Sequence, residues 1–340
     1  MKKLFATSAS ALGIGLLAWL AYLVFDWAVL HAVFTADANA CQALEHQGAC
    51  WGVIAEKARP ILLGYYPYES QRRPLLVLVI CAAFALMTWL SAWRRMSARA
   101  VSGCIVGGLV LMSVLMHGGI FGLSVVPFDK WGGLPLTLCL FALSLAVSVP
   151  IAVGLALARR SSKAWVSWPA TTFIEVIRGV PLVTLLFMAA FMLPALAPHH
   201  PTPLFWRALL ALVLFSAVYL AEVVRGGLQT VAKEQGEAAS ILGLSWWQTQ
   251  HLIVLPQAMR AVLPALVGHA IGLLKDSSLV MIIGLHELTG GLGLSLGGDP
   301  VWRPYYLEGY LFVGLIYWLM CLGLSRMGRR LEHNWAKGSH

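Results

Sequence analysis

Long apolar runs alternate with short polar segments along most of this chain. A helix that crosses a bilayer needs about 20 mostly apolar residues, and these runs reach or approach that length. The pattern therefore predicts an all-α integral membrane protein with about eight transmembrane helices. The predicted spans cover approximately residues 10–34, 75–93, 100–116, 134–158, 180–197, 205–224, 260–284 and 305–325.

The composition supports a membrane protein. Charged residues make up 11% of the 340, and the mean hydropathy is +0.77, whereas soluble domains carry about a quarter charged residues. The net charge of +9 is spread over short clusters between the apolar runs. That distribution is typical of the ends of membrane spans and excludes a nucleic-acid-binding surface.

The basic clusters predict an orientation. Lysine and arginine accumulate in the cytoplasmic connections of membrane proteins, and with both termini in the cytoplasm all five clusters fall on that side. Residues 35–74 and the glycine-rich segment 285–304 then lie on the outer side, and Gly290–Gly298 within that segment reads as a flexible loop. The clusters are Lys2 with Lys3, Arg94 with Arg95 and Arg99, Arg159 with Arg160 and Lys163, Arg225 with Lys233, and Arg326 with Arg329 and Arg330.

The chain divides into two predicted regions. Residues 1–130 form an accessory region with about three spans and the outer loop 35–74, while residues 131–340 contain about five spans with polar residues set into them. The outer loop holds Cys41 and Cys50. They pair if the loop faces an oxidising compartment, and otherwise they are two free thiols.

One polar segment between the sixth and seventh spans has a helical pattern of its own. Residues 237–256 read EAASILGLSWWQTQHLIVLP. Gly243 follows a run of helix formers and is predicted to take a left-handed conformation at the helix end. Ser245 is a candidate N-cap of a second short helix, which Pro256 is expected to end. We expect this helix–glycine–helix unit to lie at the cytoplasmic membrane surface.

The same segment resembles the EAA loop of the permease subunits of ABC importers. The pattern consists of Glu237-Ala238-Ala239, three residues, Gly243, nine residues and Ile253-Val254-Leu255-Pro256. Neighbouring blocks are similar to those of the polar amino-acid branch of that family: FIEVIRGVPL at 173–182, AEVVRGGL at 221–228, LPQAMRAVLP at 255–264 and LLKDSSLVMIIGLHELT at 273–289. The N-terminal region is similar to permeases of general L-amino-acid importers of Gram-negative bacteria.

The resemblance implies a fold, a function and partners. It implies that the last five spans form a type I ABC-importer permease core and that the loop 225–258 carries a cytoplasmic coupling helix. Such a chain is a multi-pass subunit of the bacterial inner membrane that translocates L-amino acids by alternating access. The implied partners are an ABC ATPase dimer, a second permease subunit in a heterodimer, a periplasmic amino-acid-binding protein and the lipid bilayer. The residues implied in ATPase coupling are Glu237, Ala238, Ala239 and Gly243.

The sequence also limits the chemistry of the chain. It has no Gly-Lys pair and therefore lacks the P-loop pattern GxxxxGK[ST]. We expect no enzyme activity, no catalytic residue, no metal site and no cofactor in this chain, with ATP and Mg bound by a separate ATPase. The alternative is a stand-alone secondary amino-acid transporter driven by an ion gradient, which would use Lys275 and Asp276 directly and need no ATPase.

Two sets of polar residues are candidates for a role within the membrane. One set lies inside the seventh predicted span, where charges are costly and must face a polar interior or each other. It either lines the translocation path or forms a structural pair, and it consists of Lys275, Asp276, Ser277 and Ser278. The other set has i,i+3 spacing near the cytoplasmic ends of two spans, and it forms either a gate or structural pairs. It consists of Glu175 with Arg178 and Glu222 with Arg225.

Overall fold

The computed structural model describes residues 2–44, 47–90, 98–196, 198–199 and 202–337, so Arg94 and Arg95 of the second basic cluster lie outside the described residues. The described chain is almost wholly helical. Its first helices are α1 (Lys2–Phe25), α2 (Ala38–Gln42), α3 (Gly52–Leu63), α4 (Arg72–Trp89), α5 (Ala98–His117), α6 (Gly133–Arg159), α7 (Ala164–Arg178) and α8 (Leu182–Phe187). The remainder are α9 (Leu193–Leu196), α10 (Leu204–Thr230), α11 (Lys233–Ile241), α12 (Trp246–Thr249), α13 (Leu255–Ala261), α14 (Leu263–Asp276), α15 (Leu288–Gly297) and α16 (Tyr306–Lys337).

Among the described residues, seven helical stretches are long and apolar enough to cross a bilayer, and an eighth forms if one bent pair is counted as a span. This confirms the predicted all-α membrane fold with about eight spans. The seven stretches are Leu12–Leu30, Tyr68–Trp89, Ala100–His117, Gly133–Arg159, Leu204–Thr230, Leu263–Ile283 and Arg303–His333.

The bent pair lies at the fifth predicted span. Ala164–Arg178 and Leu182–Leu196 meet at an angle of 99°. The second stretch agrees with the span predicted over residues 180–197, whereas the prediction did not include α7 before it. Gly179 caps the end of α7, and Pro181 precedes α8. Because proline lacks a backbone N–H and disfavours a helical conformation in the residue before it, the chain turns between the two helices.

Contacts within the described structure divide it into two units. The larger unit comprises residues 62–291 and 316–340, and its centre is the packing of α6 against α10. In the C-terminal part of α6 the fully buried positions recur every four residues and are all small: Ser144, Ser148, Ala152 and Ala156. On α10, Ala217 and Ala221 are equally buried. Small side chains at this spacing let two helix backbones approach closely, which is the main source of helix attraction inside a bilayer.

The smaller unit comprises residues 1–61 and 292–315. Within it, Leu292 and Leu296 of α15 are fully buried, and their side chains lie against Gly309 of α16. The prediction of a flexible loop over Gly290–Gly298 is therefore wrong. Its glycines suggested a loop, but leucines spaced four apart give α15 an apolar stripe to bury.

The cysteine pair belongs to the smaller unit. Cys41 and Cys50 form a disulfide with their Cα atoms 5.4 Å apart, and the backbone N–H of Cys50 donates to the buried Glu308 carboxylate at 3.0 Å. In the same unit Lys57 Nζ lies 2.7 Å from Asp299. The hydrogen bond from Lys57 holds the pKa of the Asp299 carboxyl below its ordinary value.

Candidate functional site

Five charged side chains form what we call the arginine–glutamate network. Its members come from three helices: Arg159 from α6, Glu175 and Arg178 from α7, and Glu222 and Arg225 from α10. Arg159 contacts both glutamates, with its Nη2 atom 2.8 Å from Glu175 Oε1. Arg225 lies 2.9 Å from Glu222 Oε2, and Arg178 lies 3.8 Å from Glu175 and 4.0 Å from Glu222.

Both i,i+3 pairs in this network agree with the spacing predicted from sequence. The geometry adds Arg159, which sequence reasoning treated as one of several basic residues at a span end. Only 17% of the Glu222 side chain is exposed, and a charge so placed needs partners. Arg178 also lies over the ring of Tyr219, 5.6 Å from its centre. The network joins the ends of α6 and α7 to α10.

The EAA-like sequence lies in a helical arm, residues 233–261. Within it α11 ends at Ile241, and Gly243 follows with a φ of 76°, which confirms the predicted left-handed conformation. The N–H of Leu244 donates to the carbonyl of Ala239, and that of Gly243 to the carbonyl of Ser240, which is the Schellman arrangement of a helix end. Ser245 then caps α12, as predicted, in a reciprocal exchange of hydrogen bonds with Gln248.

The arm does not end at Pro256. The chain widens into one π-helical turn over Gln250–Val254 and continues as α13, with Pro256 in its first turn. The prediction that proline ends the second helix is wrong because a first-turn position requires no N–H donor. Five large apolar side chains of the arm are exposed, namely Ile241, Leu242, Trp246, Trp247 and Leu252.

The predicted coupling residues occupy different positions on this arm. Glu237 and Ala238 are exposed, whereas Ala239 is buried. At its far end the arm packs against the bundle: Ala258 of α13 and Val254 are buried in one cluster with residues of α6 and α10. A Cβ atom on Gly227 of α10 would lie 2.6 Å from the Ala258 carbonyl oxygen. Glycine therefore permits the direct backbone approach of α10 and α13.

The candidate path residues mark a change of helix type. Asp276 is the last residue of α14, and Ser277–Ile283 continue as a 3₁₀ helix. Ser277 is buried and its hydroxyl donates to the Leu274 carbonyl at 2.7 Å. Lys275 is exposed, Asp276 and Ser278 are half-buried, and no ion pair within 4 Å joins Lys275 to Asp276 in the described structure.

Sequence reasoning missed a polar seam in the centre of the larger unit. The Ser216 hydroxyl donates to Ser148 Oγ at 3.0 Å and lies 2.8 Å from His269 Nε2. These residues connect α10, α6 and α14. Each is an isolated polar residue within an apolar run, so spacing alone gave no reason to group them.

A second missed cluster surrounds Glu287, which is completely buried. Its carboxylate accepts hydrogen bonds from the backbone N–H groups of Thr289 and Gly290, both at 2.9 Å, from the Tyr317 hydroxyl at 2.9 Å, and from the Thr137 hydroxyl at 3.3 Å. Buried carboxylates need such donors. Its position beyond the seventh span, in a segment taken for a loop, concealed it.

A bundle of apolar helices with charged and hydroxyl groups packed between them defines an integral membrane protein of the transport class, because intramembrane polar residues of this kind mark transport pathways and gates. Comparison with known proteins makes this more specific. Residues 148–337 match the family described as binding-protein-dependent transport system inner membrane component. The chain belongs to this family and is a multi-pass inner-membrane subunit.

Two individual relatives are similar in sequence to this chain over nearly its whole length. The sequence is 40% identical to the inner membrane amino-acid ABC transporter permease protein YhdY of Escherichia coli K12, covering 99% of this chain and 92% of that protein. It is 32% identical to the glutamate/glutamine/aspartate/asparagine transport system permease protein BztC of Rhodobacter capsulatus, covering 96% and 89%. A crystal structure of an amino acid ABC transporter with histidines matches with a TM-score of 0.53 and 32% identity, over 59% of this chain and 92% of the other.

Proposed function

We propose that this chain is the transmembrane permease subunit of an ATP-driven importer that translocates L-amino acids by alternating access. Family membership and the similarity to amino-acid permeases support the class of substrate. A binding-protein-dependent system does not favour the alternative of an ion-gradient-driven transporter that works alone. Residues 131–340 form the permease core of about five spans in this proposal, and residues 1–130 form the accessory region.

The observation that carries the coupling mechanism is the arm, residues 233–261. Its N-terminal half presents Glu237 and an exposed apolar face, while Val254 and Ala258 of its C-terminal half are buried against α6 and α10. A push on α11 is therefore transmitted to the bundle through the contact of α13 with Gly227. We assign Glu237, Ala238, Ala239 and Gly243 to the contact with a separate ABC ATPase dimer, which binds ATP and Mg.

The remaining partners follow from the same mechanism. A periplasmic amino-acid-binding protein delivers the substrate, and a second, different permease subunit completes the pathway as a heterodimer. Both termini and the arm lie in the cytoplasm. The Cys41–Cys50 disulfide supports this orientation, because disulfides persist in the periplasm and are rare in the cytosol.

We assign distinct roles to the arginine–glutamate network and to the residues where α14 changes to a 3₁₀ helix. The arginine–glutamate network closes the cytoplasmic end of the path, since it ties together three helices that must separate for release. Lys275, Asp276, Ser277 and Ser278 line the path at the point where α14 changes to a 3₁₀ helix. A mixed set of charges and hydroxyls there suits a zwitterionic substrate.

Glu237→Arg tests the coupling assignment. We expect the variant to fold and insert, but to lose ATP-dependent uptake in proteoliposomes and to lose the ATPase in co-purification, because the charge at the contact is reversed. Glu234→Arg is the matched control, since Glu234 lies exposed on the same helix outside the motif. Uptake by this chain alone under a proton or sodium gradient without ATP would refute the proposal.

Asp276→Asn tests the path independently of coupling. The change removes one charge within the seventh span and leaves the arm intact. We expect ATP-dependent uptake of the amino-acid substrate to fall, while the ATPase co-purifies with the variant as it does with the wild type. If uptake is unchanged, Asp276 does not line the path.

A further inference from the structure

A cavity of about 630 Å³ lies where α6 ends, α7 begins and α10 leads into α11. Three cationic side chains line it, namely Arg160, Lys163 and Lys233, and the described residues that line it include no carboxylate. Arg160 Nη1 donates to the Leu228 carbonyl at 2.8 Å, which holds the guanidinium in place. Lys163 and Lys233 form no ion pair within 4 Å in the described structure, so their charges are available to a ligand.

The backbone adds further positive potential at this cavity. Helices α7 and α11 both begin at this cavity, and neither N-cap residue, Lys163 or Ala232, accepts a hydrogen bond with its side chain. The free N–H groups of a helix N-terminus carry a partial positive charge that favours anions. The acidic residues of α11, Glu234 and Glu237, are not among the lining residues. Side chains and backbone together make this an anion-attracting cavity.

Two tryptophans and an apolar wall distinguish the cavity from a site for a free anion. Trp165 and Trp246 line it and are exposed, and Lys163 Nζ lies 5.9 Å from the centre of the Trp165 ring. Tryptophan is favoured at the depth of lipid headgroups. Leu157 and Val254 are also in the lining. Inorganic phosphate gains nothing from apolar surface, whereas a lipid brings acyl chains to it.

We infer that this basic cavity binds the phosphate-bearing headgroup of an anionic phospholipid at the cytoplasmic face of the membrane. Basic pockets at the cytoplasmic ends of membrane helices suit such headgroups. The inference rests on the proposed orientation alone, and not on the substrate or the ATPase. A bound headgroup contacts the first turn of α11 and the loop between α6 and α7, so it braces the base of the arm.

Native mass spectrometry of the full-length chain in detergent tests the inference, with phosphatidylglycerol or phosphatidylcholine added at equal concentration. We expect wild-type protein to retain phosphatidylglycerol preferentially. The double variant Lys163→Gln/Lys233→Gln should bind it about 25-fold more weakly, at about fivefold for each lysine near an anionic lipid. Lys163→Arg/Lys233→Arg should keep the binding, because arginine also binds phosphate.

The control is Arg326→Gln/Arg329→Gln, which removes two positive charges from the last turns of α16, outside the cavity, and is expected to bind as wild type does. Equal phosphatidylglycerol binding by wild type and the Lys163/Lys233 glutamine variant would overturn the inference, as would equal retention of phosphatidylcholine. Competition by inorganic phosphate alone, at concentrations comparable to those of the lipid, would assign the cavity to a free anion instead. The variant Ser162→Cys tests the orientation separately, through labelling of its thiol by a reagent applied from the cytoplasm. If the thiol is labelled, the orientation is right, and a failed lipid-binding experiment then shows that the ligand is wrong.

Discussion

Glu222 is the residue on which the arginine–glutamate network converges. Its carboxylate lies within 4.0 Å of three guanidinium groups, those of Arg159, Arg178 and Arg225. The contact with Arg225 was predictable, because the helical repeat places residues three apart on one face. Arg159 is 63 positions away in the chain, so only the packing of α6 on α10 brings it there.

Arg159→Gln should lower the stability of the folded chain by about 1–3 kcal/mol, because it removes a partner from the largely buried Glu222 carboxylate and from the more exposed carboxylate of Glu175. Unfolding in one detergent, followed by intrinsic fluorescence against denaturant, measures the difference. Arg326→Gln is the control. Arg326 is exposed, and its loss should stay within about 0.5 kcal/mol. Equal effects of the two substitutions would show that Arg159 contributes no more than an ordinary surface charge.

The hydrogen bonds to the buried carboxylate of Glu287 can be tested with a more conservative substitution. Tyr317→Phe deletes a single donor at 2.9 Å and keeps the ring, so we expect a loss of about 1.5–3 kcal/mol, the usual size for a hydrogen bond to a charged group. Tyr310→Phe provides the comparison, because Tyr310 is exposed. If both variants unfold at the same denaturant concentration, the hydrogen bond from Tyr317 to Glu287 does not stabilise the fold.

At the scale of elements, local chemistry decided what the sequence could predict. The left-handed turn at Gly243 after α11 and the cap of α12 at Ser245 depend on a few neighbouring residues, and both were predicted. The π-helical turn over Gln250–Val254 and the continuation past Pro256 depend on the burial of Val254 and Ala258 against α6 and α10. Such burial has no signature in the local sequence. Helix α7 was missed for a different reason, since its 15 residues are fewer than the roughly 20 that a membrane span needs.

Gly243→Ala should destabilise the turn between α11 and α12 by about 1–2 kcal/mol, because an alanine at a φ of 76° is strained. Gly236→Ala should act in the opposite sense by up to about 1 kcal/mol, since Gly236 lies within α11 with open space around it. Hydrogen exchange of amides in residues 233–249 measures both. Protection that rises in both variants would contradict the left-handed requirement at Gly243.

At the scale of the whole molecule, hydropathy predicted the number of spans and the positions of most of them. It did not reveal how the spans pair, because lipid-facing and helix-facing residues are equally apolar in a bilayer. The division into an accessory region, residues 1–130, and a core, residues 131–340, remains a prediction. The polar contacts between helices were the least predictable feature, since each joins residues that are distant in sequence.

The proposed orientation makes the cysteines a test of the whole topology. In intact cells Cys41 and Cys50 should resist a thiol reagent until they are reduced, whereas Cys81, Cys104, Cys139 and Cys321 are free thiols. Mass spectrometry of the chain after this alkylation distinguishes the disulfide-bonded cysteines from the free ones. Recovery of Cys41 and Cys50 as alkylated thiols without reduction would place their loop in a reducing compartment and reverse the topology.

The shared carboxylate of Glu222 has a consequence for how this protein can evolve. Because Arg159, Arg178 and Arg225 share the Glu222 carboxylate, an exchange at any one of them changes how strongly that carboxylate interacts with the other two. Compensating substitutions should therefore arise in sets and not in pairs. A genetic screen for suppressors of Glu222→Gln should return changes spread over α6, α7 and α10.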